Sequence, residues 1–259
     1  MRKLIVLAVV SIFMGAPQAA SASTYSSEIT DMWYIPAESG WGINVILQNN
    51  VAFVTFFVYD VNRNPVWYTA TLTDVGNFTW TGPLYATSGP WFGGPFPPSG
   101  VTVRQAGTAT FALQLLNQAA LTYTVDGVVV SKTLQRQTWT NEDYTGQYAG
   151  GYSILLTGCN ASYLNGIQET AGVLSVNQSG ASVSIAATTT VGSCSFSGAY
   201  TQTGKLGAIQ GTYSCTDGTV GNFIAFEMTP TISGFTARIQ GNNQYCQWSG
   251  YLGGIRRAQ

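Results

Sequence analysis

Histidine is absent from the 259 residues, and ionic side chains are scarce: 10 Lys+Arg and 11 Asp+Glu make up only 8% of the chain. Without imidazole there is no Ser-His-Asp or Cys-His nucleophile, no histidine base and no mixed Cys/His metal site. The few cations do not cluster, so the concentrated positive charge that a phosphate backbone requires is missing and no nucleic-acid partner is expected. There is no Gly-x-Ser-x-Gly elbow, and neither Lys132 nor Lys205 has a serine three residues before it, which removes the serine-lysine hydrolase patterns. Amphipathic helical spacing is also missing from Tyr25 onward. A soluble domain usually carries about a quarter charged residues. Here Ser, Thr, Asn, Gln and aromatic side chains must cover the surface instead, a composition that suits an extracellular all-β protein.

The N-terminus supports export. Arg2 and Lys3 precede an apolar run from Leu4 to Met14, and the small residues Ala20-Ser21-Ala22 follow. That is the order of a secretory signal peptide, with cleavage expected after Ala22. The run is shorter than the roughly 20 residues of a spanning helix, so no membrane span is expected after cleavage. The destination is secreted or periplasmic. All four cysteines, Cys159, Cys194, Cys215 and Cys246, lie in the second half. An even number in an oxidising compartment implies two disulfides, and no two stand in a C-x-x-C spacing. No metal site and no cofactor is expected.

What remains is strand-like throughout. In Gly42 to Gln48, Ile43, Val45 and Leu47 share one face, while Asn44, Ile46 and Gln48 share the other. Val51 to Tyr59 is apolar on both faces and therefore calls for cover on both, by a core and by another domain, subunit or loop. Further strands fit Val66 to Leu72, Phe78 to Tyr85, Val101 to Gln105, Thr108 to Leu116, Leu121 to Val125 and Val128 to Gln135. Asp126-Gly127 is the clearest type I′ hairpin turn. Gly82 to Gly100, rich in Gly and Pro, reads mostly as a long loop carrying Trp91, Phe92 and Phe96. Polar residues at Asn141-Glu142-Asp143 mark a boundary. The expected organisation is a signal peptide over 1–22, an aromatic-rich domain over 23–140 and a disulfide-containing domain over 145–259. The fold class is all-β: two antiparallel β-barrel or barrel-like sandwich domains in tandem, with about eight strands each.

If the second domain is an up-and-down barrel, alternating strand direction puts all four cysteines at one end. A hairpin at Thr203-Gly204 then brings Cys194 to Cys215, and barrel closure brings Cys159 to Cys246. These are the preferred pairs, although four cysteines permit two other connectivities.

The stretch Trp33-Tyr34-Ile35-Pro36-Ala37-Glu38-Ser39-Gly40-Trp41-Gly42-Ile43-Asn44, followed by Phe57-Val58-Tyr59-Asp60 and Pro65-Val66-Trp67, resembles a module of exported bacterial β-rich proteins of unassigned activity. Its recurring form is N-P-A-E-S-G-W-G-[IL]-N, then an F-x-Y-D strand end and a P-x-W strand start. Ile35 stands where the usual form has Asn. The later Cys-x-aromatic-Ser-Gly segments and Gly211-Thr212-Tyr213-Ser214-Cys215 look like the partner that sometimes follows the module. The resemblance implies export and a β fold, and it brings no catalytic residue.

The functional expectation is a non-catalytic binding protein for a carbohydrate, peptide or protein. Trp33, Trp41, Trp67 and Trp91 would supply stacking faces, with Glu38 and Asn44 orienting the ligand. The structural alternative has Glu38 capping nearby amides while the tryptophans fill barrel ends. A second function is a glycoside hydrolase pairing Glu38 with Asp60 or Asp31, which requires one carboxyl to stay protonated. A third is a self-associating surface or structural protein using the outer face of Val51 to Tyr59. Asp60-Val61-Asn62-Arg63-Asn64 matches the start of a calcium loop, but Pro65 and Thr71 occupy the positions of its glycine and bidentate glutamate, so a hairpin turn is the better reading.

Overall fold

A computed structural model describes residues 26–258, so the signal peptide expected over 1–22 lies outside the described residues. Two closed antiparallel barrels follow one another along the chain. The first comprises β1 (Asp31–Tyr34), β2 (Gly42–Gln48), β3 (Val51–Tyr59), β4 (Pro65–Asp74), β5 (Thr79–Ser88), β6 (Thr102–Leu115), β7 (Gln118–Val125) and β8 (Val128–Arg136). The second comprises β9 (Gly146–Thr157), β10 (Gly166–Ser179), β11 (Ser182–Thr189), β12 (Gly192–Thr203), β13 (Leu206–Cys215), β14 (Val220–Thr231), β15 (Gly234–Asn243) and β16 (Gln247–Arg256). Each is an up-and-down meander, because short turns join neighbouring strands and the last strand pairs with the first. Among the described residues no helix is long and apolar enough to cross a membrane.

The first barrel reaches eight strands by a different membership from the sequence expectation. Asp31–Tyr34 forms β1, and the runs expected as two strands around residues 101–105 and 108–116 fuse into β6. A bulge at Ala106 lets that strand bend without breaking, since Leu84 faces Gly107 while Tyr85 faces Gln105. The Gly/Pro-rich loop is also shorter than expected, because β5 continues past Tyr85 to Ser88, and Gly82 and Pro83 lie inside it. The β4–β5 ladder is interrupted between Ala70/Leu84 and Thr73/Thr81, so Pro83 sits where a missing N–H leaves no rung broken. Asp126 and Gly127 take the two positive φ values, 48° and 85°, that a type I′ turn demands.

Period-two alternation decides what fills each barrel. In the first, Trp33, Phe56, Leu72, Trp80, Leu84, Phe111, Leu121 and Leu134 point inward and are buried essentially completely. Phe111 stands edge-on to Trp33, with ring centres 5.1 Å apart. The second barrel is crosslinked by Cys159–Cys246 and Cys194–Cys215, the two preferred pairs. Cys194 and Cys215 are direct cross-strand partners, and the other bridge ties the loop after β9 to the start of β16 across the closing seam.

The barrels meet end to end. The hairpin between β12 and β13 presses against the start of β1: the Lys205 N–H donates to Asp31 Oδ2 at 2.9 Å, and the Gly204 N–H donates to Thr138 Oγ1 at 2.9 Å. Gly204 has φ +58°, and a Cβ there would lie 2.1 Å from Asp31 Oδ2, so no side chain fits. Arg136 is buried beside Asp31 at 3.2 Å, and it also donates to the carbonyls of Glu28 and Leu116 while lying 4.5 Å over the Trp33 ring. An ion pair removed from water in this way is strongly destabilising when one partner is lost. Asp31→Ala is expected to lower stability by about 3 kcal/mol, read from the midpoint of equilibrium urea unfolding; an unchanged midpoint would show that Arg136 needs no anionic partner.

Candidate functional site

The motif segment lies at the end of the first barrel remote from the second. Between β1 and β2 the chain makes a 3-10 turn, Pro36–Glu38, whose proline at the start fits a backbone with no N–H to satisfy. This turn sets Glu38 over the rim. Lys132 donates to both its oxygens, at 2.7 and 2.9 Å, and the Trp41 indole N–H donates to Oε2 at 3.0 Å. Lys132 also stands 5.9 Å from the centre of the Trp41 ring. These contacts hold the Glu38 carboxyl below the ordinary carboxylate range, the Lys132 hydrogen bond contributing most.

The remaining expected site residues do not converge on this group. Trp33 is a correction to the binding-site expectation: it points into the barrel, is 0% exposed and spends its indole N–H on the Ile29 carbonyl at 3.0 Å. The alternation that makes Asp31–Tyr34 a strand is what turns it inward. Trp41 is half-buried and packs against the top of that core. Trp67 is exposed on the outer wall beside Phe57, and Asn44 is half-buried on the same outer side of β2, opposite Thr55. Trp91 is exposed in the β5–β6 loop against Phe92, with ring centres 5.8 Å apart. One tryptophan therefore faces the core, one the rim, one the wall and one a loop.

The carboxylates are likewise separated by role. Asp31 belongs to the inter-barrel contact with Arg136. Asp60 is occupied by its own turn, accepting from the N–H groups of Asn62 and Asn64, both at 2.8 Å, and from the Asn64 amide at 3.1 Å. Those bonds hold Asp60 below its ordinary value as well. A general acid must be pushed upward, so neither Glu38 nor Asp60 has the environment of that acid.

One concave feature is one that sequence reasoning missed. Inside the second barrel lies a cavity of about 560 Å³ reached from the disulfide-bearing end. Its wall includes Ile154, Leu174, Ile185, Phe196, Tyr213, Phe223, Ile239 and Trp248. Several inward residues here keep a little exposure, such as Phe223 at 7%, Ile239 at 8% and Trp248 at 9%, whereas most large inward side chains of the first barrel, such as Phe56, Leu72 and Phe111, are at zero. One cause is a row of glycines across the closing seam. Gly254, Gly150 and Gly172 are register neighbours on β16, β9 and β10, so no side chain projects inward along that row. A Cβ on Gly150 would lie 2.1 Å from the Gly253 carbonyl oxygen, so the coiled backbone itself requires the glycine.

The two ends of this barrel differ. Toward the first barrel it is plugged by Tyr144, Tyr148, Tyr200 and Phe235, with Phe235 edge-on to Tyr148 at 4.8 Å and to Tyr144 at 5.8 Å. The Tyr148 hydroxyl donates to the Tyr144 carbonyl at 2.8 Å, and burial pushes the Tyr144 phenol upward from its usual range. At the other end, Tyr163, Asn165, Val191, Thr216, Asp217 and Tyr245 surround the mouth. Cys159–Cys246 and the Asn160 N–H bond to the Tyr245 carbonyl at 2.9 Å fix two of the mouth loops to each other. The trace of this site in the sequence was the fall in aromatic density beyond residue 145 together with the rise in glycine.

No known family model matches the chain, and no curated protein matches it. Among solved structures it is similar to a Bacteroides fragilis protein provisionally described as an outer membrane protein, with 11% identity and a TM-score of 0.31. The match covers 89% of this chain and 99% of that one. A likeness this faint bears on neither fold nor function.

The Glu38 group gives a pH prediction with a definite sign. Its carboxyl lies below the ordinary value, so the contacts with Lys132 and Trp41 are complete above the ordinary carboxylate range and are lost as pH falls through the lowered value. Acid titration followed by the carboxyl carbon shift of Glu38 should therefore show a midpoint below that of an ordinary glutamate, and Lys132→Met should move it upward. An unmoved midpoint would mean that Lys132 does not hold the group.

Proposed function

We propose that this chain is an exported, non-catalytic binding protein whose ligand site is the interior of the second barrel. One observation carries the reading: a cavity of about 560 Å³ with mostly apolar walls lies within a barrel plugged at one end and open at the other. Pockets that take small organic molecules have about 300 to 1,000 Å³ of space, apolar walls and a few polar groups at fixed positions. Eight-stranded barrels are wide enough either to be filled by side chains or to hold one small ligand, and the two barrels here divide along that line. Two disulfides and the N-terminal pattern of Arg2, Lys3 and the apolar run support export. The resemblance to exported bacterial modules of the Glu38-Ser39-Gly40-Trp41-Gly42 type is part of the same proposal. The first barrel's tryptophans are then divided among core, rim, wall and loop, and the second barrel's interior replaces the expected stacking platform for a carbohydrate or peptide.

The test uses the neutral fluorescent probe N-phenyl-1-naphthylamine with the mature chain. Saturable binding at a single site is expected. Ala187 faces inward near the mouth, and Ala187→Phe should take up part of the space and weaken probe binding while leaving the thermal melting temperature equal or higher, as cavity filling does. An unchanged affinity in a folded Ala187→Phe variant would place the probe elsewhere.

A second reading, self-association, is favoured by a different surface. Phe53, Phe57, Tyr59 and Trp67 are about half exposed on the outer wall of β3 and β4, so the second barrel does not provide the cover expected for that face. Contiguous aromatic exposure of this kind marks contact surfaces. Sedimentation velocity across a dilution series should then show a concentration-dependent dimer that Trp67→Ser weakens; a monomer at every concentration would remove this reading.

A further inference from the structure

Resting on the cavity reading, we infer that the ligand is a cationic amphiphile, with its apolar body inside the second barrel and an ammonium head held at the mouth beside Asp217. The walls leave little choice for the body. Leu156, Leu174, Ile185, Phe223, Ile239 and Trp248 come from six different strands and offer hydrocarbon and aromatic surface. A charged or strongly hydrated group would lose its water there without replacement. Polar atoms collect instead at the rim, on Asn165, Thr216, Asp217 and Thr219.

The sign of the head group follows from where the charges lie. Among the described residues lining the cavity, Asp217 is the single ionic side chain. It sits in the turn between β13 and β14, accepts the Thr219 N–H at 2.9 Å and is otherwise exposed. That bond also holds its carboxyl below the ordinary range, so it is ionised at neutral pH. The cations of this barrel are committed elsewhere. Lys205 pairs with Glu28 at the junction with the first barrel, Arg238 pairs with Glu227, and Arg256 donates to the Thr145 carbonyl and the Tyr148 hydroxyl at the plugged end. Arg257 follows β16 at that same end, where its N–H donates to the Gln147 carbonyl. An anionic head at the mouth would meet a carboxylate and no cation, and charges farther than about 8 Å away are screened at physiological salt. Tyr163 and Tyr245, exposed by 84% and 50% at the same rim, add ring faces of the type that receives alkylammonium groups.

The experiment is displacement of bound N-phenyl-1-naphthylamine by three ligands with the same ten-carbon tail: decyltrimethylammonium, decanol and decanoate, each below its aggregation limit. The ammonium compound should bind at least about threefold more tightly than the alcohol, the scale of one partly exposed ion pair, and the carboxylate most weakly. In Asp217→Asn, which keeps the turn's acceptor, the ammonium preference over the alcohol should vanish while the alcohol binds as before. Raised salt should shrink the same preference. Equal displacement by all three, a preference for decanoate, or failure of all three against a bound probe overturns the ammonium assignment. Failure of the probe itself to bind the unaltered chain overturns the cavity reading beneath it.

Discussion

Closure of each meander onto its own first strand is the constraint from which the rest follows. A closed sheet has no edge to protect, and it gives every residue a fixed side, inward or outward, that a one-residue slip would reverse. The first barrel closes through a short contact, Trp33 with Arg136 and Tyr34 with Gln135, and relies on a large filled interior. The second closes through a long ladder from Gln247/Thr157 to Arg256/Tyr148, with a disulfide across the same seam. Stability placed in the wall and its crosslinks is what allows that barrel to leave space inside, since the interior need not supply all of the hydrophobic gain.

End-to-end packing then gives the two free ends different characters. The junction uses the buried Arg136–Asp31 pair and the tight Gly204 hairpin, and it seals the end of the second barrel that the tyrosines plug. The first barrel's free end carries Glu38, Lys132 and Trp41 locked in one group, together with the Trp91 loop. The second barrel's free end carries the open mouth. The ligand proposed for the second barrel and the partner proposed for the first barrel's wall would therefore meet separate surfaces.

Much of the fold was legible because its signals are local. Alternation in Gly42 to Gln48 and the Asp126-Gly127 turn each depend on a few neighbouring residues and led to the observed element, while the observed cysteine pairs followed once an up-and-down barrel was assumed. The errors came where local rules met a nonlocal one. Ala86 to Ser88 read as loop, but pairing with β6 carries β5 on through them. Residues 101–116 read as two strands because a bulge at Ala106 interrupts the pattern without ending the pairing.

The site was much less legible. Trp33, Trp41, Trp67 and Trp91 are close in the sequence or share a motif, yet the direction of each is set by its parity within a strand or by a loop. The sequence by itself determined the histidine-free chemistry, the β class, the oxidised cysteines' even number and the alternation of faces, because these are properties of composition and short-range spacing. Only the tertiary structure decided that one interior is packed and the other hollow. That depends on which small and large side chains meet across eight strands and on three glycines aligned by register, a relation among residues about 20 to 100 positions apart that no local pattern contains.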